Sequence, residues 1–295
     1  MSKILSMGVE VDFVTTSEGK IRMLVRRVSS AHPWLVLWPG QGDPAESLLV
    51  LLELATNHHL NIAVFDPLGH GLSDEPRTDY SPSSQRVVWE SVLDKLQVKR
   101  AFIGGYSYGA YSAVMCNRAL ADRIMGLILI EGGYLTMEQK GVTLESETED
   151  ILESMRTYRY ETWDEALDAI KSEATTWTDY DEAEFYAAMV ERDNAVVLRM
   201  TETTIIQMEE ALAGYSTELL DGVTCPILLL HSTLPPEKAE MRARGLTMFR
   251  DYAPNASIVP IPNCGHTLKE HLPFVMDKIT EFIPQGNNIV MGSQP

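Results

Sequence analysis

The chain has 295 residues, of which 45% are hydrophobic and 22% charged, as is typical of a globular protein with one large domain or a core with one insertion. Its formal net charge is −18, which disfavours nucleic acid and anionic membranes as partners. No apolar run approaches the roughly 20 residues that span a bilayer. Residues 1–8 lack the apolar run of a signal peptide, so we expect a cytoplasmic protein.

The first third of the chain alternates strand and helix patterns. Residues 9–28 alternate apolar and polar side chains around a polar segment at 17–20, which predicts a β-hairpin. The continuous apolar run at 34–38 predicts a strand buried on both faces. A Pro- and Gly-rich loop follows at 39–42, and then a helix over 44–57 with Asp43 as its N-cap.

The same unit repeats twice more along the chain. Strands are predicted at 61–65, 101–104 and 126–130, with helices at 82–96, capped by Ser81, and at 108–121. Strands that alternate with helices predict an α/β fold, with a mostly parallel central sheet and helices on both faces.

After Glu131 this alternation stops. Residues 134–221 show helical patterns without a convincing strand, and they hold 22 acidic residues against 6 basic ones, whereas the rest of the chain holds 20 and 18. Strand patterns resume at 226–230 and 256–261, and a last helix is predicted at 272–282. We therefore predict a core of residues 1–133 and 222–284, an inserted acidic helical cap at 134–221, and a disordered tail at 285–295.

The segment at residues 105–109, Gly-Tyr-Ser-Tyr-Gly, is the strongest chemical signal. A serine hydroxyl becomes a useful nucleophile only when a base removes its proton and backbone donors face the developing oxyanion. A G-x-S-x-G turn between a strand and a helix provides the exposed serine and free helix N–H groups. The predicted strand and helix on either side make Ser107 the candidate nucleophile. The N–H groups of Tyr108 and, from the loop after the strand at 34–38, Gln41 are the candidate oxyanion donors.

Together these motifs resemble the α/β-hydrolase superfamily from about residue 9 to residue 282. Residues 66–74, Asp-Pro-Leu-Gly-His-Gly-Leu-Ser-Asp, are similar to its D-x-x-G-x-G-x-S loop, and Gly40-Gln41 to its oxyanion segment, although Pro39 stands where a His is usual. His266 lies in a segment that resembles the loop carrying the catalytic histidine, after the last predicted strand and at the carboxyl end of the sheet. We interpret it as the general base. His70 is interpreted as ordering the D-x-x-G-x-G loop.

The acid that orients the histidine departs from the common pattern. In the superfamily it usually follows the strand that corresponds to residues 226–230, but no aspartate lies within reach there. Glu131 ends the strand after the nucleophile helix, which resembles the arrangement in some haloalkane dehalogenases and in zearalenone lactonases. We favour Glu131, because a carboxylate after a buried strand needs a partner. Glu237 and the absence of an effective acid remain alternatives.

The resemblance implies a serine hydrolase acting on a small molecule, with a neutral ester or lactone favoured over anionic substrates by the acidic surface. A C–C bond hydrolase, a peptidase or a weakly catalytic binding protein are the alternatives. No metal or cofactor motif is present, and the three dispersed cysteines predict buried thiols. Trp163, Trp177 and Tyr134 of the cap are candidate substrate-binding residues. The oligomeric state is open, with a homodimer as one alternative.

Overall fold

The strands follow the predicted order along the chain. A computed structural model describes residues 7–284. In chain order its strands are β1 (Glu10–Thr15), β2 (Lys20–Arg26), β3 (Trp34–Trp38), β4 (Asn61–Phe65), β5 (Ala101–Tyr106), β6 (Ile124–Ile130), β7 (Arg159–Tyr160), β8 (Met189–Arg192), β9 (Ala195–Leu198), β10 (Ile227–Ser232) and β11 (Ser257–Ile261).

The helices separate these strands. They are α1 (Leu49–Leu54), α2 (Pro82–Lys95), α3 (Tyr108–Cys116), α4 (Met137–Lys140), α5 (Leu144–Thr157), α6 (Trp163–Glu173), α7 (Asp179–Ala188), α8 (Glu202–Ala213), α9 (Ala239–Tyr252) and α10 (Leu272–Phe282). Short 3-10 helices lie at Ala45–Leu48, Ala121–Arg123, Thr217–Leu220, Pro236–Lys238 and Lys269–His271.

The main sheet has eight strands in the order β1-β2-β4-β3-β5-β6-β10-β11. β1 and β2 form the predicted hairpin, β2 pairs antiparallel with β4, and the other pairings are parallel. Buried residues alternate between the two faces, so that Leu35 and Leu37 of β3 join one apolar cluster and Val36 and Trp38 the other. The core α/β pattern predicted from the sequence is confirmed.

The predicted N-cap of the first helix, Asp43, is wrong. The segment begins as the 3-10 helix Ala45–Leu48, and its N-cap is Pro44, which offers no capping side chain. Asp66 supplies the missing acceptor instead, because its Oδ1 accepts a hydrogen bond of 2.7 Å from the Ala45 N–H. Ser81 does cap α2, as predicted, by accepting from the Ser84 N–H.

Residues 134–221 are not entirely helical, which corrects the prediction of an all-helical cap. Besides α4 to α8 they contain an antiparallel sheet in the order β7-β9-β8. β8 and β9 are joined by Asp193 and Asn194, whose φ angles are both positive, at 52° and 55°. Asp and Asn at two such positions are a signal for a tight hairpin, which the acidic helical periodicity around them obscured.

The cap packs on the core through α8. Ile205 and Met208 of this helix are fully buried in the same apolar cluster as Trp38. The predicted tail at 285–295 lies outside the described residues. Within residues 7–284, no helix is long and apolar enough to cross a membrane.

Candidate active site

Ser107 stands at a sharp turn between β5 and α3. Its backbone has φ 51° and ψ −116°, a strained conformation for a residue with a side chain. The turn fits only because its flanking residues are glycines: a Cβ at Gly105 or Gly109 would lie 2.0 or 1.9 Å from the Trp38 carbonyl oxygen. The Ser107 N–H donates to the Ile130 carbonyl at 2.8 Å, which ties the turn to the end of β6.

His266 reaches Ser107 from the loop between β11 and α10. Its Nε2 lies 3.0 Å from the Ser107 Oγ, within hydrogen-bond distance. The loop is fixed by the Tyr106 hydroxyl, which donates to the His266 carbonyl at 2.7 Å. The His266 side chain remains 62% exposed, so it is open to a molecule bound beside Ser107.

The Glu131 carboxylate faces the other nitrogen of the imidazole. Its Oε1 is 3.6 Å from His266 Nδ1, and its side chain is only 9% exposed. Ser232 at the end of β10 donates its hydroxyl to Oε1 at 2.7 Å and its backbone N–H to Oε2. Burial acts to raise the pKa of Glu131, but the His266 imidazole and the two donors of Ser232 outweigh it and hold the pKa below its usual value. Glu131 is therefore ionised at neutral pH.

The alternative acid, Glu237, lies elsewhere. It is exposed on the 3-10 helix Pro236–Lys238. The geometry thus brings Ser107, His266 and Glu131 together, on the ends of three different segments of the core. The gap of 3.6 Å between Glu131 Oε1 and His266 Nδ1 is longer than a hydrogen bond.

The two candidate oxyanion donors border the same space as Ser107. Tyr108 is the first residue of α3, where a helix N–H has no intrahelical acceptor, and Gln41 lies in the loop after β3. This loop is fixed by His70, whose Nε2 accepts from the Gly42 N–H at 2.9 Å. The His70 Nδ1 lies 2.9 Å from the Leu68 carbonyl, so Nδ1 carries the proton. Burial lowers the pKa of His70 to about 4, which keeps this ring neutral.

A cavity of about 350 Å³ opens over Ser107, near the lower end of the usual range for small-molecule sites. Its walls come from the oxyanion loop, the cap helices and the loop after β10. Besides Ser107, His266 and Glu131, the lining includes the polar or aromatic residues Gln41, Tyr108, Tyr111, Tyr134, Lys140, Glu147, Glu209, Lys238 and Arg242. Acidic and basic groups therefore face the same cavity.

The three aromatic residues predicted to bind substrate lie in three different places in the structure. Tyr134 lines this cavity. Trp163 does not: it packs in the cap's own apolar core, with its ring centroid 6.0 Å from that of Phe185, because it lies on the buried side of α6. Trp177 borders a second cavity of about 750 Å³, beside Gly265 and Lys269, rather than the one at Ser107.

Three residues of the site were not found from the sequence. Ser232 fixes Glu131, Tyr106 fixes the His266 loop, and Glu209 is a buried carboxyl group on the cavity wall. For Ser232 the only available signal was its place at the carboxyl end of a buried strand. Glu209 falls in an acidic helical stretch, and nothing in the local pattern distinguishes it from its exposed neighbour Glu210.

Comparison with known proteins places this fold in a family. A family model described as "Alpha/beta hydrolase family" matches residues 35–278. Uncharacterized proteins of Mycobacterium bovis and Mycobacterium tuberculosis are each 30% identical over 113 residues, 38% of this chain. The match spans about a third of the length of these relatives, 33%.

Structural similarity extends over nearly the whole chain. The crystal structure of E-2-(acetamidomethylene)succinate hydrolase superposes with a TM-score of 0.76 and 17% identity, over 93% of this chain and 98% of that one. The enol-lactonase from Burkholderia xenovorans LB400 superposes with a TM-score of 0.66 and 16% identity, over 92% and 99%. Since the family match covers most of the chain and the neighbours share its fold, the protein belongs to the alpha/beta hydrolase family.

Proposed function

We propose that the protein is a serine hydrolase that cleaves a small, neutral carboxylic ester or lactone through an acyl-enzyme. The observation that carries this proposal is the distance of 3.0 Å between Ser107 Oγ and His266 Nε2, at a turn where Ser107 is held out of the helix that follows it. The carboxylate of Glu131 on the far side of the imidazole completes the arrangement.

The reaction follows from these positions. His266 Nε2 takes the hydroxyl proton of Ser107 as the oxygen attacks the ester carbonyl carbon. The resulting oxyanion accepts hydrogen bonds from the N–H groups of Gln41 and Tyr108, while Glu131 stabilises the imidazolium. The imidazolium then gives its proton to the departing alkoxide, which leaves the acyl group on Ser107. A water molecule, deprotonated by His266, cleaves this acyl-enzyme and releases the acid; a lactone yields a single hydroxy acid.

The substrate class rests on the cavity and on the relatives. Its volume of about 350 Å³ fits a small or medium-sized acyl compound, and its walls carry charges of both signs. An enol-lactonase and a thermophilic esterase from Thermogutta terrifontis are among the proteins that share the fold, so the fold is compatible with hydrolysis of an ester or a lactone.

Turnover of simple esters tests the proposal. Wild-type protein, Ser107→Ala and the control Ser83→Ala, which alters an exposed serine of α2, are compared on p-nitrophenyl butanoate and δ-valerolactone. We expect Ser107→Ala to lower kcat/KM by at least about 10³-fold, since removal of the nucleophile leaves only the oxyanion donors and binding.

Labelling provides a second measurement of the same serine. A fluorophosphonate should add one phosphonyl group to the wild type and none to Ser107→Ala, as measured by intact mass. Equal ester turnover by wild type and Ser107→Ala would refute the proposal. Absence of both turnover and labelling in the wild type would favour a binding protein that retains the fold.

A further inference from the structure

Two polar atoms in the wall of the cavity over Ser107 have no role in the proposed reaction. Glu209, on α8, is 1% exposed, and its Oε2 is buried without a hydrogen-bond partner among the described residues. The side-chain Nε2 of Gln41 is buried and unpartnered in the same way. Both residues line the cavity that contains Ser107.

Holding such groups unpaired costs stability. A buried carboxylate or amide without a hydrogen bond loses its hydration and gains nothing in return, so nearly all such groups in folded proteins are paired. The Gln41 amide lies beside the Glu209 carboxyl group without meeting the geometry of a hydrogen bond. Burial raises the pKa of Glu209 to about 6, although this amide and the Lys140 ammonium oppose the change. Unpaired polar groups on the wall of a catalytic cavity are suited to bind a ligand.

The chemistry of the pair selects one kind of ligand group. Glu209 offers an acceptor and Gln41 Nε2 a donor, and a hydroxyl satisfies both, since its hydrogen can be donated while its oxygen accepts. An ammonium group has no lone pair for the Gln41 amide. Lys238 and Arg242 on the cavity wall further disfavour a cation.

The position of Gln41 places this hydroxyl near the reaction. Its backbone N–H is the candidate oxyanion donor, and its side-chain amide is a few bonds away from that N–H. We propose that Glu209 and the side chain of Gln41 bind a substrate hydroxyl within a few bonds of the scissile carbonyl, so that the enzyme prefers hydroxylated esters or lactones. This inference rests on the proposed hydrolase function.

Matched substrates in which a methyl group replaces the hydroxyl test the inference. One pair varies the acyl part, p-nitrophenyl 3-hydroxybutanoate and 3-methylbutanoate, and one varies the alcohol, 2-hydroxyethyl and propyl butanoate. In the wild type we expect kcat/KM for the hydroxylated member to exceed that of its partner by at least about tenfold in one pair, because a methyl group would leave both polar atoms unpaired.

Glu209→Met then removes the acceptor at similar length. We expect it to lower the hydroxyl-to-methyl ratio of kcat/KM by at least about tenfold. Glu210→Met, which alters the neighbouring exposed glutamate, is the matched control and should leave this ratio within about twofold of the wild type. Ratios near one in both wild-type pairs, or a ratio that survives Glu209→Met, would overturn the inference.

Thermal unfolding gives a measurement independent of turnover. If Glu209 is unpaired in the protein, Glu209→Met replaces a buried carboxyl with an apolar group and should raise Tm by about 2–4 °C at pH 8. A lower Tm would show that Glu209 has a structural partner, and this would overturn the inference. If the wild type cleaves none of the four esters, the proposed hydrolase activity fails, and the sign of the Tm change decides the role of Glu209 by itself.

Discussion

Glu131 occupies a position that its own backbone and Ser232 define. Its φ of 49° turns the chain sharply at the end of β6, and its N–H donates to the Leu230 carbonyl at 2.7 Å. Ser232 donates to both carboxylate oxygens, so the carboxylate cannot rotate freely away from His266. In the proposed reaction such orientation matters, because the carboxylate fixes the imidazole tautomer that accepts the serine proton.

Substitution of the two candidate acids tests this assignment. Glu131→Gln should lower kcat by about 10²–10⁴-fold, because a neutral amide neither stabilises the imidazolium nor selects the productive tautomer. Glu237→Gln is the matched control: the same change on an exposed 3-10 helix should leave kcat within about twofold. Both values are measured with p-nitrophenyl butanoate. A loss of activity confined to Glu237→Gln would show that the acid is Glu237.

At the scale of elements, the oxyanion loop depends on the D-x-x-G-x-G loop that follows β4. Asp66 accepts from the Ala45 N–H, and His70 accepts from the Gly42 N–H, so the residues on the carboxyl side of Gln41 are tied from outside. Asp66 is itself held by Arg22, with Nε and Oδ2 2.6 Å apart. The position of the Gln41 N–H therefore depends on side chains that do not touch the cavity.

Removal of the His70 acceptor should disturb catalysis more than binding. We expect His70→Leu to lower kcat by about 10–100-fold with a smaller change in KM, since a displaced oxyanion donor acts in the transition state. His70→Gln, whose carbonyl can again accept from Gly42, should recover part of the loss. His59→Leu at an exposed histidine serves as the control. An unchanged kcat for His70→Leu would contradict the positioning role.

At the scale of the whole molecule, most of the net negative charge lies in the cap. Between residues 134 and 221 there are 22 acidic residues and 6 basic ones. The cavity wall, by contrast, presents Lys140, Lys238 and Arg242 alongside Glu131, Glu147 and Glu209. The acidic cap can therefore repel an anionic substrate at long range, while the basic residues of the cavity attract the same substrate once it arrives.

The salt dependence of turnover separates these two effects. Between about 10 mM and 300 mM salt the screening length falls from about 30 Å to below 10 Å. We expect kcat/KM for the anionic p-nitrophenyl succinate to rise by about two- to fivefold, while the neutral p-nitrophenyl butanoate changes little. A decrease for the succinate ester would mean that the basic residues of the cavity outweigh the acidic cap.

The parts that the sequence predicted are those that short-range patterns specify. Buried strands, the serine turn and the Ser81 cap depend on residues within a few positions of one another, and the structure confirms them. The sequence also predicts that Glu131 and His266 lie close together, since both follow strands and the carboxyl ends of parallel strands meet at one edge of the sheet.

What the sequence missed depends on packing between distant segments. Glu209 and Glu210 are adjacent acids on one helix, and only the docking of α8 on the core buries the first and leaves the second exposed. Trp163 is a candidate pocket residue because caps over this fold usually cover the pocket. The sequence alone cannot separate a cavity from the cap's own core, since aromatic residues on an amphipathic helix look alike in both places. The β8–β9 hairpin was missed although its Asp193-Asn194 turn was visible.

The place of Glu131 directly after β6 has a consequence for how this protein could change. In the proposed reaction, with Glu131 as the acid, the loop beyond Ser232 carries no reacting group, and its Leu234 and Pro235 contribute to the cavity wall. Arg242 holds that loop through the carbonyls of residues 233–235. Substitution of Leu234 in laboratory evolution could therefore change the substrate preference while the proposed reacting groups keep their positions. The residues that would vary and the residues that would react lie on separate segments of the chain.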